Sequence, residues 1–283
     1  MKTLKIISYG MMVFLIIAGF FAFSAQNDRN QNNISKQYSI QKTWNLPKDL
    51  NEISGIAWLP DGNIASVQDE DGIIFIYNLD SNKIIEEIEF EGSGDYEGIT
   101  IKDNDAYVLR SDGTIYEVSN FRSKNKTVKS FKTDFSSKNN VESLALNSKT
   151  NSLIIAPKDR DKSDSFKGLY EIPINSKAMN ASPSIKINMT DEAFKNYQKK
   201  KVYKTFSPSD VAIHPKNGKY YVLEGKNPKL VILDKKGTIE KVYELNKKHF
   251  AQPEGITFSP DGVLYISNES GDGPATILQV NFN

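Results

Sequence analysis

Glu97, Glu142 and Glu254, together with Ser54 and Ser209, occupy the same place in five copies of one short pattern, and as a set they could hold an ion. The copies read Ser54-Gly55-Ile56-Ala57-Trp58, Glu97-Gly98-Ile99-Thr100-Ile101, Glu142-Ser143-Leu144-Ala145-Leu146, Ser209-Asp210-Val211-Ala212-Ile213 and Glu254-Gly255-Ile256-Thr257-Phe258. Brought to one axis, they would set three carboxylates and two hydroxyls facing each other. Glu52, two residues before Ser54, joins the same side by strand alternation. Carboxylates about 6 Å apart repel by roughly 3 kcal/mol per pair at an effective dielectric near 20. Such a ring needs a bound cation, shared protons or a basic side chain.

Calcium answers the first need, because it takes about six to eight hard oxygen ligands in loose geometry. Zinc is disfavoured: the chain has no Cys and 2 His, and His214 and His249 are not spaced as a ligand pair. Both histidines read as ordinary loop residues. The ends of the second strands add Asp69-Glu70, Arg110, Lys158, Glu224 and Asn268-Glu269 to the same neighbourhood. Asp69, Glu224 and Glu269 are further candidates for ligand contact. Arg110 or Lys158 would neutralise the ring from within, tune its charge, or contact an anionic ligand.

The elements that must position these residues follow from the spacing. The copies start 43, 45, 67 and 45 residues apart, and a strand-built period of about 45 residues is that of a four-stranded propeller blade. In the fifth copy the inner strand ends in the turn Ser259-Pro260-Asp261-Gly262, and the first has the matching Leu59-Pro60-Asp61-Gly62. Third strands are expected at 73–79, 114–118, 168–172, 230–234 and 276–280, and outer strands at 83–90, 126–133, 184–189 and 238–245. The fifth copy lacks its outer strand. Residues 38–44 (YSIQKTW) can supply it, so the fold class expected is an all-β, five-bladed β-propeller closed by the N-terminal strand pairing into the last blade. The 67-residue interval holds an insertion between about 173 and 207, read as a short surface helix capped by Thr190, with lysines at its end. Those lysines read as a solvated face.

Lys2 and Lys5 precede an uncharged run from Ile6 to Ala25. Residues 1–25 are therefore expected to be a signal peptide or an N-terminal membrane anchor, with a tether through 6–25 in the second case. Either sends the remainder across the cytoplasmic membrane, anchored or secreted. Residues 26–37 read as a flexible linker and 38–283 as the propeller. Leaving out residues 1–24 removes two Lys and no acid, taking the net charge from +1 to −1. That gives no field for nucleic acid to follow. The expected state is a monomer.

The ordered motifs Ser-Gly-Ile, Glu-Gly-Ile, Glu-Ser-Leu, Pro-Ser-Asp-Val and Gln-Pro-Glu-Gly-Ile, after a hydrophobic N-terminus, resemble the SdiA-regulated family (YjiK-like bacterial proteins). The resemblance covers about Gln37 to Asn283. It implies a five-bladed propeller distantly similar to NHL-repeat propellers, with a calcium site and no settled activity. The leading functional expectation is a non-enzymatic binding module of the cell envelope, its undefined ligand at the channel mouth. In that reading Glu97, Glu142 and Glu254 are the principal calcium ligands, and Ser54, Ser209 and Glu52 are secondary. The alternatives are a calcium-dependent hydrolase of an ester, lactone or phosphate, and a protein-interaction scaffold.

Overall fold

Twenty strands alternate with tight turns in the computed structural model, which describes residues 37–283. The expectations for residues 1–25, and for the linker up to residue 36, lie outside the described residues. Residues Ile40–Asn281 form one compact unit. The chain enters on β1 (Tyr38–Asn45) and then builds one meander per blade. Blade 1 is β2 (Ile53–Trp58), β3 (Ile64–Gln68), β4 (Ile73–Asn78) and β5 (Lys83–Glu89). Blade 2 is β6 (Tyr96–Lys102), β7 (Asp105–Arg110), β8 (Thr114–Ser119) and β9 (Thr127–Lys132). Blade 3 is β10 (Val141–Asn147), β11 (Ser152–Pro157), β12 (Phe166–Pro173) and β13 (Ile185–Asn188). Blade 4 is β14 (Asp210–Ile213), β15 (Tyr220–Glu224), β16 (Lys229–Leu233) and β17 (Ile239–Glu244). Blade 5 is β18 (Pro253–Phe258), β19 (Leu264–Asn268) and β20 (Thr276–Phe282), with β1 as its fourth strand, in the order β1-β20-β19-β18.

The five sheets are separate, and their inner strands close a ring. β2 touches β6, β6 touches β10, β10 touches β14, β14 touches β18, and β18 returns to β2. The approach is so close that a Cβ on Gly55 would lie 2.7 Å from the Gly98 Cα, and one on Gly98 would lie 2.7 Å from the Leu144 Cβ. This explains the small residue after the ring position in the first two copies. The third ring-strand residues, Ile56, Ile99, Leu144, Val211 and Ile256, are each 2% exposed, so the channel is filled at mid-height. Beyond them Trp58, Ile101, Leu146, Ile213 and Phe258 line an apolar funnel of about 310 Å³ at the far end.

Burial between neighbouring sheets supplies the core. Val67, Ile74 and Ile76 of blade 1 meet Tyr96, Val108 and Tyr116 of blade 2. At the closing seam Trp44 of β1 packs with Tyr265, Phe75 and Tyr77, and its indole Nε1 donates to the Leu79 carbonyl at 2.7 Å. The insertion is helical as expected but is a 3₁₀ helix, Glu192–Tyr197, and its cap is Asp191, which accepts from the Ala193 N–H at 2.9 Å. Six residues give too little length for the cooperative α-helical ladder. Among the described residues no helix is long and apolar enough to cross a membrane.

The seam makes a specific demand on β1. A chain shortened to begin at Asn45 is expected to lose its cooperative urea transition, because the last blade loses its outer strand and Trp44. A wild-type midpoint in the shortened chain, followed by circular dichroism, would contradict this closure.

Candidate functional site

Bulges at the heads of the inner strands present the ring residues. In β10, Val141 pairs with Pro157 and Ser143 with Ala156, so Glu142 is the extra residue. The same slip leaves Glu97 between Tyr96 and Gly98, and Glu254 between Pro253 and Gly255. In β2 the slip spans Ile53 to Ile56 and so includes Ser54. A bulge bends its strand and re-aims one side chain, here the glutamate of each acidic copy.

Glu142 and Glu254 come together on one lysine, and Glu97 lies near enough to feel the charges of Glu142 and that lysine. Lys158, just past β11, places its Nζ 2.6 Å from Glu142 Oε2 and 3.9 Å from Glu254 Oε2. The other Glu142 oxygen accepts from Asn140 Nδ2 at 2.8 Å, and the Asn140 carbonyl accepts from the Lys158 N–H at 2.8 Å. Both Glu142 oxygens are therefore held, with Glu142 2% and Glu254 5% exposed. Burial pushes the Glu142 and Glu254 carboxyls up, and Lys158 pulls both back. Burial would lower the Lys158 ammonium, but Glu142 and Glu254 raise it further than burial lowers it. Glu97 is pushed up by burial, then by the charges of Glu142 and Asp95 and a hydrogen bond to Asp95, and Lys158 pulls it back.

The acids outnumber this one ammonium. Burial and the charges of Glu52, Asp95 and Glu70 bring Asp69 up to about 6. Burial and the charges of Glu254, Glu52 and Asp69 bring Glu269 up to about 8. Two of the expected charge-tuning residues are taken up elsewhere. Arg110 donates through Nε and Nη2 to Asp112, at 3.1 and 2.8 Å, and through Nη1 to Tyr116. Glu224 is 2.7 Å from Lys229 in a buried pair of its own. The hydroxyls of the ring serve the backbone: Ser209 Oγ donates to the Pro253 carbonyl at 3.0 Å, and Ser54 Oγ to the Glu52 carbonyl at 3.5 Å. His214 packs on Tyr221 and Phe258.

The family resemblance implies calcium at these residues. An ammonium in contact with Glu142 and close to Glu254 competes for the oxygens a calcium shell would use, and it cannot itself be a ligand. Among the described residues no group of three or more acidic or histidine side chains is gathered for a metal ion. Glu97, Glu142 and Glu254 as they stand do not fit calcium.

Two features went unrecognised in the sequence. Asp210 stands where other copies have Gly or Ser, and its buried carboxylate accepts from three backbone N–H groups: Val211 at 2.8 Å, Leu144 at 3.3 Å and Ile256 at 2.8 Å. It ties blades 3, 4 and 5 together beside the axis. Burial pushes its carboxyl up, against the pull of these three donors. The second feature is a cavity of about 630 Å³ beside the ring, which shares Lys158 and Glu254 with it and includes the lysines of the insertion.

The sequence profile of the SdiA-regulated family matches residues 30–272. Among solved structures, the glutaminyl cyclase of Myxococcus xanthus aligns with 13% identity and a TM-score of 0.60, over 87% of this chain and 96% of that one. The PQQ-bound aldose sugar dehydrogenase of Streptomyces coelicolor aligns with 11% identity and a TM-score of 0.53, over 87% and 98%. At such identities the likeness is one of fold. No curated protein matches the chain.

Two outcomes follow from this geometry. Asp210→Ala orphans three buried N–H groups, each worth about 1–3 kcal/mol, and should lower the unfolding free energy by at least about 3 kcal/mol in urea titrations. A loss under about 1 kcal/mol would remove the three-blade tie. The second concerns pH. Glu269 titrates near 8 in the folded chain against an ordinary 4.5, so between those values the folded state binds more protons than the unfolded one. Stability then falls as pH rises through that window, and Asp69 adds to the fall up to about 6. The melting temperature should be higher at pH 5 than at pH 8, with a shallower slope in Glu269→Gln; a flat or rising profile in wild type would contradict the raised carboxyls.

Proposed function

The chain belongs to the SdiA-regulated family, and from that premise we propose that it is an exported, non-enzymatic binding module of the cell envelope. Its acidic mouth receives the cationic part of a ligand. One observation carries the reading: beyond burial, Glu142 and Asp95 raise the Glu97 carboxyl, Glu52, Asp95 and Glu70 raise Asp69, and Glu254, Glu52 and Asp69 raise Glu269, while among the described residues Lys158 is the one ammonium paired with a ring glutamate. A cationic group entering the mouth relieves that repulsion, as an opposite charge within about 4–6 Å favours the ionised carboxylate. Lys158 is the built-in cation for Glu142 and Glu254, in the place where calcium would otherwise be needed. The filled channel confines the ligand to the mouth.

The test is thermal unfolding of the full chain in chelator, with putrescine or calcium added separately. Putrescine is expected to raise the melting temperature at pH 8 and to act less at pH 5, below the raised values of Asp69 and Glu269. The triple variant Glu97→Gln/Glu142→Gln/Glu254→Gln should lose the response. Lys158→Met leaves buried carboxylates without their partner and should cost about 3 kcal/mol. Calcium should recover part of that loss while leaving wild type unmoved. No cation response in wild type, with the triple variant at least as stable, would make the ring a self-neutralised structural feature. A calcium response in wild type that the triple variant loses would restore calcium as the resident ion.

A further inference from the structure

We propose that the lysine-lined cavity beside the mouth is a binding site for a compact, multiply charged phosphate. This rests on the binding-module reading and supplies the anionic part of the ligand. The cavity, about 630 Å³, is of small-molecule size. Six lysines line it: Lys158 from blade 3, Lys199, Lys200, Lys201 and Lys204 from the insertion, and Lys226 from blade 4. The acids on its wall are Asp159 and Glu254, and Glu254 already lies beside Lys158. Of the six, Lys158 alone has a salt bridge among the described residues. Asn140, Ser207, Asn227 and Gln252 add neutral hydrogen-bonding groups to the lining. Lys199 also feels the charge of Glu224, but lysines without a salt bridge around one cavity raise the local concentration of anions, and lysine serves phosphate as a point charge with three donors.

The presenting loop is fixed at both ends, which separates it from a loose solvated lysine run. Phe194 and Phe206 are fully buried and stack with centroids 5.5 Å apart, anchoring the segment on either side of the lysines. Gln198 Nε2 donates to the Met189 carbonyl at 2.7 Å. The Lys199 N–H donates to the Oγ1 of buried Thr205 at 3.4 Å. A 3₁₀ turn over Val202–Lys204 follows, its Lys204 N–H donating to the Lys201 carbonyl at 2.8 Å. Part of the ordering entropy that a phosphate would otherwise meet is already spent in the fold.

The experiment is calorimetric titration of the full chain with sodium pyrophosphate in chelator, with orthophosphate and phosphatidylglycerol vesicles as separate arms. Wild type should bind pyrophosphate, orthophosphate more weakly, with affinity falling as salt is raised. Lys199→Gln/Lys200→Gln/Lys201→Gln/Lys204→Gln should weaken pyrophosphate by at least about tenfold, the worth of one charge-assisted hydrogen bond. Lys226→Gln, outside the insertion, should weaken it in the same direction. Lys124→Gln/Lys126→Gln/Lys129→Gln/Lys132→Gln, removing as much charge around the outer edge of blade 2, should keep wild-type affinity. No pyrophosphate binding, equal losses in the two quadruple variants, or binding to vesicles alone would each overturn the proposal. Failure here with an intact putrescine response leaves the acidic half standing; loss of that response with pyrophosphate binding intact removes the acidic half alone.

Discussion

Five inner strands meeting around one axis leave almost no volume for side chains beside them, and most of the molecule answers that constraint. Gly55 and Gly98 exist because a neighbouring strand lies where a Cβ would be. The bulges at Glu97, Glu142 and Glu254 exist because a strand head this crowded can offer a long side chain only by stepping out of register. An inner strand is also a sheet edge, with backbone groups no ladder reaches. Asp210 takes up two such groups from the neighbouring blades, at Leu144 and Ile256, and one of its own blade. A carboxylate in that crevice costs desolvation, and three N–H donors offset it.

The same crowding governs the charge at the mouth. Burying Glu142 and Glu254 near one another is unfavourable unless a cation accompanies them, and the chain supplies its own through Lys158, with Asn140 fixing both partners. A buried pair of this kind stabilises little beyond what its desolvation costs, but it is severe to break. What remains unbalanced lies on blades 1, 2 and 5, in Glu52, Asp69, Asp95, Glu97 and Glu269. The compensation visible elsewhere in the chain makes this excess informative. Glu224 has Lys229, Arg110 has Asp112, and Arg122 spans Asp61 and Glu86.

The repeat made the fold legible. A strand period near 45 residues, the matching turns and a missing last strand lead from residues 38–44 to the closed ring without coordinates, and β1 lies where that reasoning put it. Glu97, Glu142 and Glu254 were legible as a ring for the same reason, since equivalent positions in a repeat must converge. Partner choice was not. Arg110 and Lys158 end equivalent second strands, yet Arg110 is captured by Asp112 two residues on, a short-range signal present in the sequence, while Lys158 is free to reach across. Asp210 was hidden because its donors lie 66 and 46 residues away. The lysine loop was hidden because a charged run reads as solvated until the wall opposite it is known.

The insertion gives the mouth its asymmetry. Three of the four blade intervals are nearly equal, and the extra residues between blades 3 and 4 bring lysines to the side where blade 3 already contributes Lys158. The lysine-lined cavity of blades 3 and 4 includes Lys158 and Glu254, and the Lys158 charge also acts on Glu97 of blade 2 and Glu269 of blade 5. Such an opening does not act as a uniform sink for either sign of ion. On the proposed reading it would orient a dipolar molecule, cation toward Asp69 and Glu269 and anion toward Lys201 and Lys226. Neutralising either half would leave the other charge uncompensated beside the bound molecule, so the halves discriminate jointly. The ligand proposed for this mouth therefore carries both charges, at separated ends.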